Sequence, residues 1–118
     1  MLLQDKVVLI TGSTTGIGEA SARLAVANGA KVMLHGLEED LARAVQRDLG
    51  DAAHYVIADV REPTNCERIV QKTVAHFGRI DAVVNNAAVV TRSDLASTDA
   101  AMFDYIIQTN LRAPILII

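Results

Sequence analysis

The segment that most limits what this chain can fold into is Val7-Val8-Leu9-Ile10-Thr11-Gly12-Ser13-Thr14-Thr15-Gly16-Ile17-Gly18. It begins with a β-branched apolar run suited to a parallel strand buried on both faces. Glycines then fall in a Gly-x-x-x-Gly-x-Gly spacing, and a helix-periodic stretch over 19–28 follows. A strand that turns through glycines into a helix converges backbone N–H groups and the positive end of the helix dipole on one point. That point suits a phosphate, above all the pyrophosphate of a dinucleotide. In this reading Gly12 permits the tight turn, Gly16 lets backbone approach the ligand, and Gly18 lets helix pack closely on strand. The dinucleotide fingerprint of open α/β sheets has one residue between its first two glycines, whereas this loop has three, so on the motif alone a plain strand-to-helix connection stays open. The absence of a Gly-Lys-Ser/Thr ending argues against a nucleotide triphosphatase loop.

Apolar strands and amphipathic helices alternate along the rest of the chain, the mark of βαβ units and a parallel sheet. Strands are expected at 6–11, 31–35, 54–58 and 81–85. Ile17, Ala20, Leu24 and Ala27 are expected to line the buried side of the first helix. Leu41, Val45 and Leu49 do so in the second, which Gly50 ends. Cys66, Ile69, Val70, Thr73, Val74 and Phe77 form the stripe of the third, before Gly78. A last helix from about Thr98 carries Met102, Phe103, Ile106, Ile107 and Leu111, and runs into Pro114-Ile115-Leu116-Ile117-Ile118. Such an apolar end reads as a helix cut short.

Four motifs, in order and spread over essentially the whole chain, resemble the short-chain dehydrogenase/reductase family. The Thr11-Gly12-x-x-x-Gly16-Ile17-Gly18 segment is similar to its cofactor loop. Asp59-Val60, after the apolar run 55–58, is similar to the pair that contacts the adenine ring. Val83-Val84-Asn85-Asn86-Ala87-Ala88 resembles the Asn-Asn-Ala-Gly segment ending the fourth strand, with Ala88 in place of the usual glycine. That exchange is costly only if the residue needs a positive φ. Asn110 matches the asparagine of the catalytic helix.

The resemblance implies an α/β fold of Rossmann type, a doubly wound parallel sheet in the order 3-2-1-4 with helices on both faces. The glycine loop and Asn85-Asn86 would meet at the switch between strands 1 and 4. Strand 4 would be left as an edge. The resemblance also implies hydride transfer between a nicotinamide and a carbonyl or secondary alcohol. The family's acid/base pair is Tyr-x-x-x-Lys, and these 118 residues do not hold it. Tyr55 is followed four residues on by Asp59 and Tyr105 by Thr109, while the lysines are Lys6, Lys31 and Lys72. The chain therefore reads as the N-terminal, cofactor-binding half of such an oxidoreductase. The 118 residues by themselves are expected to bind a dinucleotide without turnover. A third reading is a pseudo-enzyme that uses the open sheet edge for partner binding.

The expected cofactor contacts are Gly12, Ser13, Thr14, Thr15, Gly16, Ile17, Gly18, Gly36, Leu37, Asp59, Val60, Asn86, Ala87 and Ala88. Asn110 would support the reaction by holding a water of the proton relay, and Asn85 would bond backbone between strands. Both roles of Asn110, relay and backbone bonding, imply a kinked or bulged helix. Gly36 stands at the position where a carboxylate marks NAD, and Leu37 where an arginine often marks NADP. With Ser13, Thr14 and Thr15 neutral, no cation awaits a 2′-phosphate, so NAD is expected over NADP. The residues that select substrate would include 89–94.

Composition bounds the remainder. With 118 residues, 51% of them hydrophobic, the chain has the material for one core and one domain over 1–118. Fourteen acidic residues against eleven basic give a net charge of −3, and no basic cluster stands out, which argues against nucleic acid or an anionic membrane as partner. No apolar run is long enough to span a bilayer, and the first residues do not read as a signal peptide. The cytoplasm is the expected location. A homo-oligomer is expected for the full-length form, with a small carbonyl or alcohol as substrate. Cys66, the single cysteine, is expected to be a buried structural thiol. His35, His54 and His76 read as isolated strand-end or surface residues, and no metal site is expected.

Overall fold

The computed structural model describes residues 1–89 and 94–118. Its centre is a sheet of four parallel strands in the order β3-β2-β1-β4. These are β1 (Val7–Ile10), β2 (Lys31–Gly36), β3 (Ala53–Ile57) and β4 (Ala82–Val84). Val8 and Ile10 of β1 face one side with Val32 and Leu34 of β2. They pack on α1 (Gly16–Ala27) and α2 (Glu39–Leu49) through Ala22, Ala25 and Val45. Leu9, Met33 and Val56 face the other side. There they meet Cys66 and Ile69 of α3 (Pro63–Phe77), and Ala113 and Ile117 of α5 (Ala113–Ile117). Alternation along the strands thus sorts one apolar run into two cores. The fold is the doubly wound α/β sheet the sequence implies.

The face of α1 departs from expectation. Ile17 and Leu24 are 79% and 66% exposed, and Ala20 and Ala27 lie outward with them. The buried stripe is Gly18, Ala22 and Ala25. Both stripes have helical spacing, and the strand-to-helix turn decides between them. At Gly18 a Cβ would stand 2.1 Å from the Gly12 carbonyl oxygen, so α1 rides too close to β1 for large side chains to lie between. The helix also starts three residues before position 19, because the glycine loop itself forms its first turn. In α2 and α3 the expected stripes hold, except that Leu41 is 39% and Val74 45% exposed. Pro63 occupies the first turn of α3, and Gly78 ends it at φ +85°.

After β4 the chain enters α4 (Ala100–Ile107), capped by the Asp99 carboxylate accepting from Met102 N–H at 2.8 Å. A π-helical turn over Gln108–Arg112 then leads into α5. This is the bulge expected around Asn110. Phe103, Leu111, Ile115 and Leu116 are exposed along this segment, whereas Ile117 is buried. Asp81 lies just before β4, where its carboxylate accepts from Val7 N–H at 2.8 Å and sets the register of β4 on β1.

Candidate functional site

The carboxyl ends of the strands open onto a cleft of about 450 Å³ at the point where the strand order reverses between β1 and β4. In doubly wound sheets this is where ligands sit. The glycine loop forms its floor. Thr15, the residue before α1, is extended and offers no side-chain cap, so the first N–H groups of the helix keep their bonding capacity. Gly16 has φ +57°, and nothing lies within 4 Å of where its Cβ would be. The backbone there is bare towards the cleft. A pyrophosphate fits this cradle both in shape and in the sign of its field.

Gly12, Thr14, Thr15, Gly16 and Ile17 all line the cleft, as do Gly36, Leu37, Asp59, Val60, Asn86, Ala87 and Ala88. Ser13 and Gly18 do not. Ser13 is fully buried, its hydroxyl donating to the Ile10 carbonyl at 2.7 Å and accepting from His35 N–H at 2.9 Å. Gly18 lies beneath the loop as a packing position. Ala88 is not at positive φ, so its departure from glycine costs no backbone strain. Asn110 lies apart from the cleft wall and clamps the loop after β4. Its Oδ1 accepts from Val89 N–H at 2.8 Å, and its Nδ2 donates to the Val89 carbonyl at 2.7 Å. Of the stretch expected to select substrate, 90–93 lie outside the described residues.

The bridge expected of Asn85 is made by its neighbour. Asn85 is exposed, while Asn86 donates from Nδ2 to the Gly12 carbonyl at 3.0 Å. The Thr11 hydroxyl accepts from both Asn86 N–H and Ala87 N–H, at 3.0 and 2.9 Å. One buried side chain thus ties the glycine loop to the end of β4.

Several cleft residues were not foreseen. His35 is buried, with Nδ1 accepting from Gly12 N–H at 3.0 Å and Nε2 2.7 Å from the Ala58 carbonyl. A carbonyl only accepts and an amide N–H only donates, so the ring is neutral with its proton on Nε2. Burial pushes its pKa below the ordinary histidine value. His35 therefore joins the ends of β1, β2 and β3. His54 and His76, read as isolated, stack on each other at 4.0 Å.

Asp59 is gripped by Arg61 through Nε–Oδ2 and Nη2–Oδ2 contacts of 3.0 and 2.7 Å, and also accepts from Arg61 N–H at 2.9 Å. That guanidinium holds the Asp59 carboxyl below its usual range. The guanidinium carbon stands 4.7 Å from the centre of the Tyr105 ring. Tyr105 and Thr109 reach the cleft from the segment after β4. Their i, i+4 spacing was a readable sign of a shared face.

At the end of β2, a Cβ on Gly36 would meet the Thr14 side chain at 2.6 Å. Thr14 fills the space where the family pattern allows a carboxylate. Glu38 lines the cleft just beyond, beside Leu37. Cys66, as expected, is fully buried, and its thiol donates to the Val60 carbonyl at 3.2 Å. Among the described residues no helix is long and apolar enough to cross a membrane.

The sequence profile of the short chain dehydrogenases matches residues 6–118. An uncharacterized oxidoreductase of Thermotoga maritima is 36% identical over 120 residues, which cover 99% of this chain and 47% of the relative. The solved structure of a 3-ketoacyl-(acyl-carrier-protein) reductase from Brucella melitensis, complexed with NADH, is similar with a TM-score of 0.93 at 33% identity. That match covers 98% of this chain and 48% of the other. A blue fluorescent protein from a metagenomic library, in complex with NADPH, gives a TM-score of 0.95 at 27% identity, covering 99% and 50%. The chain spans about half the length of the relatives it matches. With a cleft at the switch point, a glycine loop opening α1 and a profile match over nearly its whole length, the chain belongs to the short-chain dehydrogenase family.

Proposed function

We propose that the cleft binds a nicotinamide adenine dinucleotide, and that the protein is an oxidoreductase acting on a small carbonyl or secondary alcohol. The observation that carries this reading is the uncapped first turn of α1 beneath the open backbone at Gly16. Gly12, Thr14, Thr15, Gly16 and Ile17 would hold the pyrophosphate, with Ser13 and Gly18 shaping the loop from beneath. Asp59 would accept from the adenine amino group while Val60 packs on the ring, and Gly36 and Leu37 would border the adenosine ribose. Asn86, Ala87 and Ala88 would lie along the nicotinamide. Such a cofactor, when bound, supplies or accepts a hydride. The chain's own residues bind and orient it, and Asn110 fixes Val89 from the bulged helix, where it would also hold a relay water. The proton donor that hydride transfer also requires is not a Tyr-x-x-x-Lys of these 118 residues.

NAD is favoured over NADP. Leu37 and Glu38 line the cleft beyond β2, and a carboxylate there repels a 2′-phosphate. Among the described residues lining the cleft the cation is Arg61, and its charge is already matched by Asp59. The exposed Phe103, Leu111, Ile115 and Leu116 support self-association.

The test is NADH binding by calorimetry in the intact protein and in Gly16→Leu. A non-glycine residue at this φ costs about 1–2 kcal/mol, and the space around it is open, so the fold survives. NADH binding should be lost. Unchanged affinity in a folded variant rules out the loop as the cofactor site.

A further inference from the structure

We propose that Arg61 is a base-stacking residue whose guanidinium plane receives the adenine ring of the dinucleotide. This rests on the reading of the cleft as a dinucleotide site. Arg61 lies two residues past Asp59, on the loop between β3 and α3, and lines the same cleft. Two contacts orient its side chain, and a third holds its loop. The Asp59 carboxylate takes hydrogen bonds from Nε and Nη2, which sets the guanidinium plane. The Tyr105 ring lies against it at 4.7 Å. The Arg61 carbonyl accepts from the Arg112 guanidinium, which pins the loop to the π-helical turn. Held this way, the side chain still keeps 42% of its surface open.

A guanidinium that is planar, charge-matched and immobilised is a poor anion trap, because its fork is already engaged by a carboxylate. It is a good platform for a flat aromatic ring, which stacks on its face without displacing that carboxylate. The adenine face of a dinucleotide is such a ring. The pair then divides the work: Asp59 reads the edge of the base through its amino group, and Arg61 carries its face.

The experiment measures affinity in the intact protein for NADH, for its hypoxanthine analogue and for reduced nicotinamide mononucleotide. Arg61→Leu should weaken both NADH and the hypoxanthine analogue about tenfold, within the range of base stacking on side chains. The mononucleotide, which has no adenine, should be unaffected. Tyr105→Leu removes the backing of the guanidinium but leaves the Asp59 contacts, and should weaken NADH about threefold. If Arg61 served only to position Asp59, the loss would vanish with the hypoxanthine analogue, which has no amino group to read. If it met a 2′-phosphate, NADPH would lose more than NADH. Either result overturns stacking, as does unchanged NADH affinity in Arg61→Leu. Absence of NADH binding by the unaltered protein would instead overturn the dinucleotide reading itself.

Discussion

Replacing His35 by leucine tests the way the cleft is held together. The imidazole is the acceptor for Gly12 N–H and the donor to the Ala58 carbonyl, at 3.0 and 2.7 Å. His35 is 3% exposed and Ala58 5%, so water does not readily replace the ring. Leucine is apolar and leaves both groups without a partner. An unsatisfied buried donor or acceptor costs about 1–3 kcal/mol. Two of them, the first only partly buried, give a loss of roughly 3 kcal/mol. With a urea m-value of about 1–3 kcal/mol/M, the unfolding midpoint should fall by roughly 1–3 M.

The same contacts make stability depend on pH. Protonation puts a second N–H on the ring, facing Gly12 N–H, and burial disfavours the charge; the neighbouring Asp59 carboxylate opposes this only partly. The folded-state pKa lies below the unfolded value near 6.5. Below that pH the unfolded chain therefore binds more protons than the folded one. The stability held by neutral His35 is complete above about pH 6.5 and is lost as pH falls towards the lowered value. His54 is also lowered, first by burial and then by His76 and Lys72, and acts in the same direction. The informative quantity is therefore the difference between the native protein and His35→Leu. Urea midpoints measured from pH 7.5 to 5 should converge as pH falls. An unchanged midpoint at pH 7.5, or parallel curves across the range, would refute the reasoning.

Three further substitutions probe the loop by urea denaturation. Gly18→Ala places a Cβ 2.1 Å from the Gly12 carbonyl oxygen, and backbone on both sides cannot yield, so a loss of about 3 kcal/mol or more is expected; a mild effect would mean that α1 is not seated as described. Thr11→Val keeps the shape but removes the acceptor shared by Asn86 N–H and Ala87 N–H; Asn86 N–H keeps the Val84 carbonyl at 3.0 Å, so the one orphaned donor should cost about 1–3 kcal/mol. Gly36→Asp collides with Thr14 and should cost about 1–3 kcal/mol alone, most of it recovered in the double variant with Thr14→Ala. Strict additivity of those two changes would show that they do not share a space.

The strands were legible because their signal is local. Every residue of β1 is buried, as an uninterrupted apolar run between turn-forming residues demands. The strand order followed from right-handed crossovers and the family resemblance, and it brings the glycine loop to the end of β4, where the Asn86 amide meets the Gly12 carbonyl. The buried face of α1 was misread because hydrophobicity alone ranks Ile17 and Leu24 above Gly18, Ala22 and Ala25. A periodicity argument weighs how much surface a side chain can bury. What decides here is how close the helix is brought, and a loop that returns Gly18 to Gly12 brings it within reach of small residues only.

Much of the unread part of the site depends on partners far along the chain. A lone histidine at the end of a strand carries no mark that its two nitrogens will meet residues 12 and 58. Asp59 was expected to contact the base; its bond to Arg61 comes from a turn only two residues long, and the ring behind Arg61 comes from residue 105. Thr14 and Gly36 show the same dependence in volume. Glycine at 36 looked like the loss of a diagnostic carboxylate. In the fold it is the complement of a threonine side chain 2.6 Å from where its own Cβ would stand. A family pattern reads such positions one at a time, whereas the cleft fixes them in pairs. The exchange at 36 therefore becomes informative about the cofactor only when read together with Thr14, whose side chain occupies the space a Cβ at 36 would need, and Glu38, whose carboxylate lines the cleft two residues on.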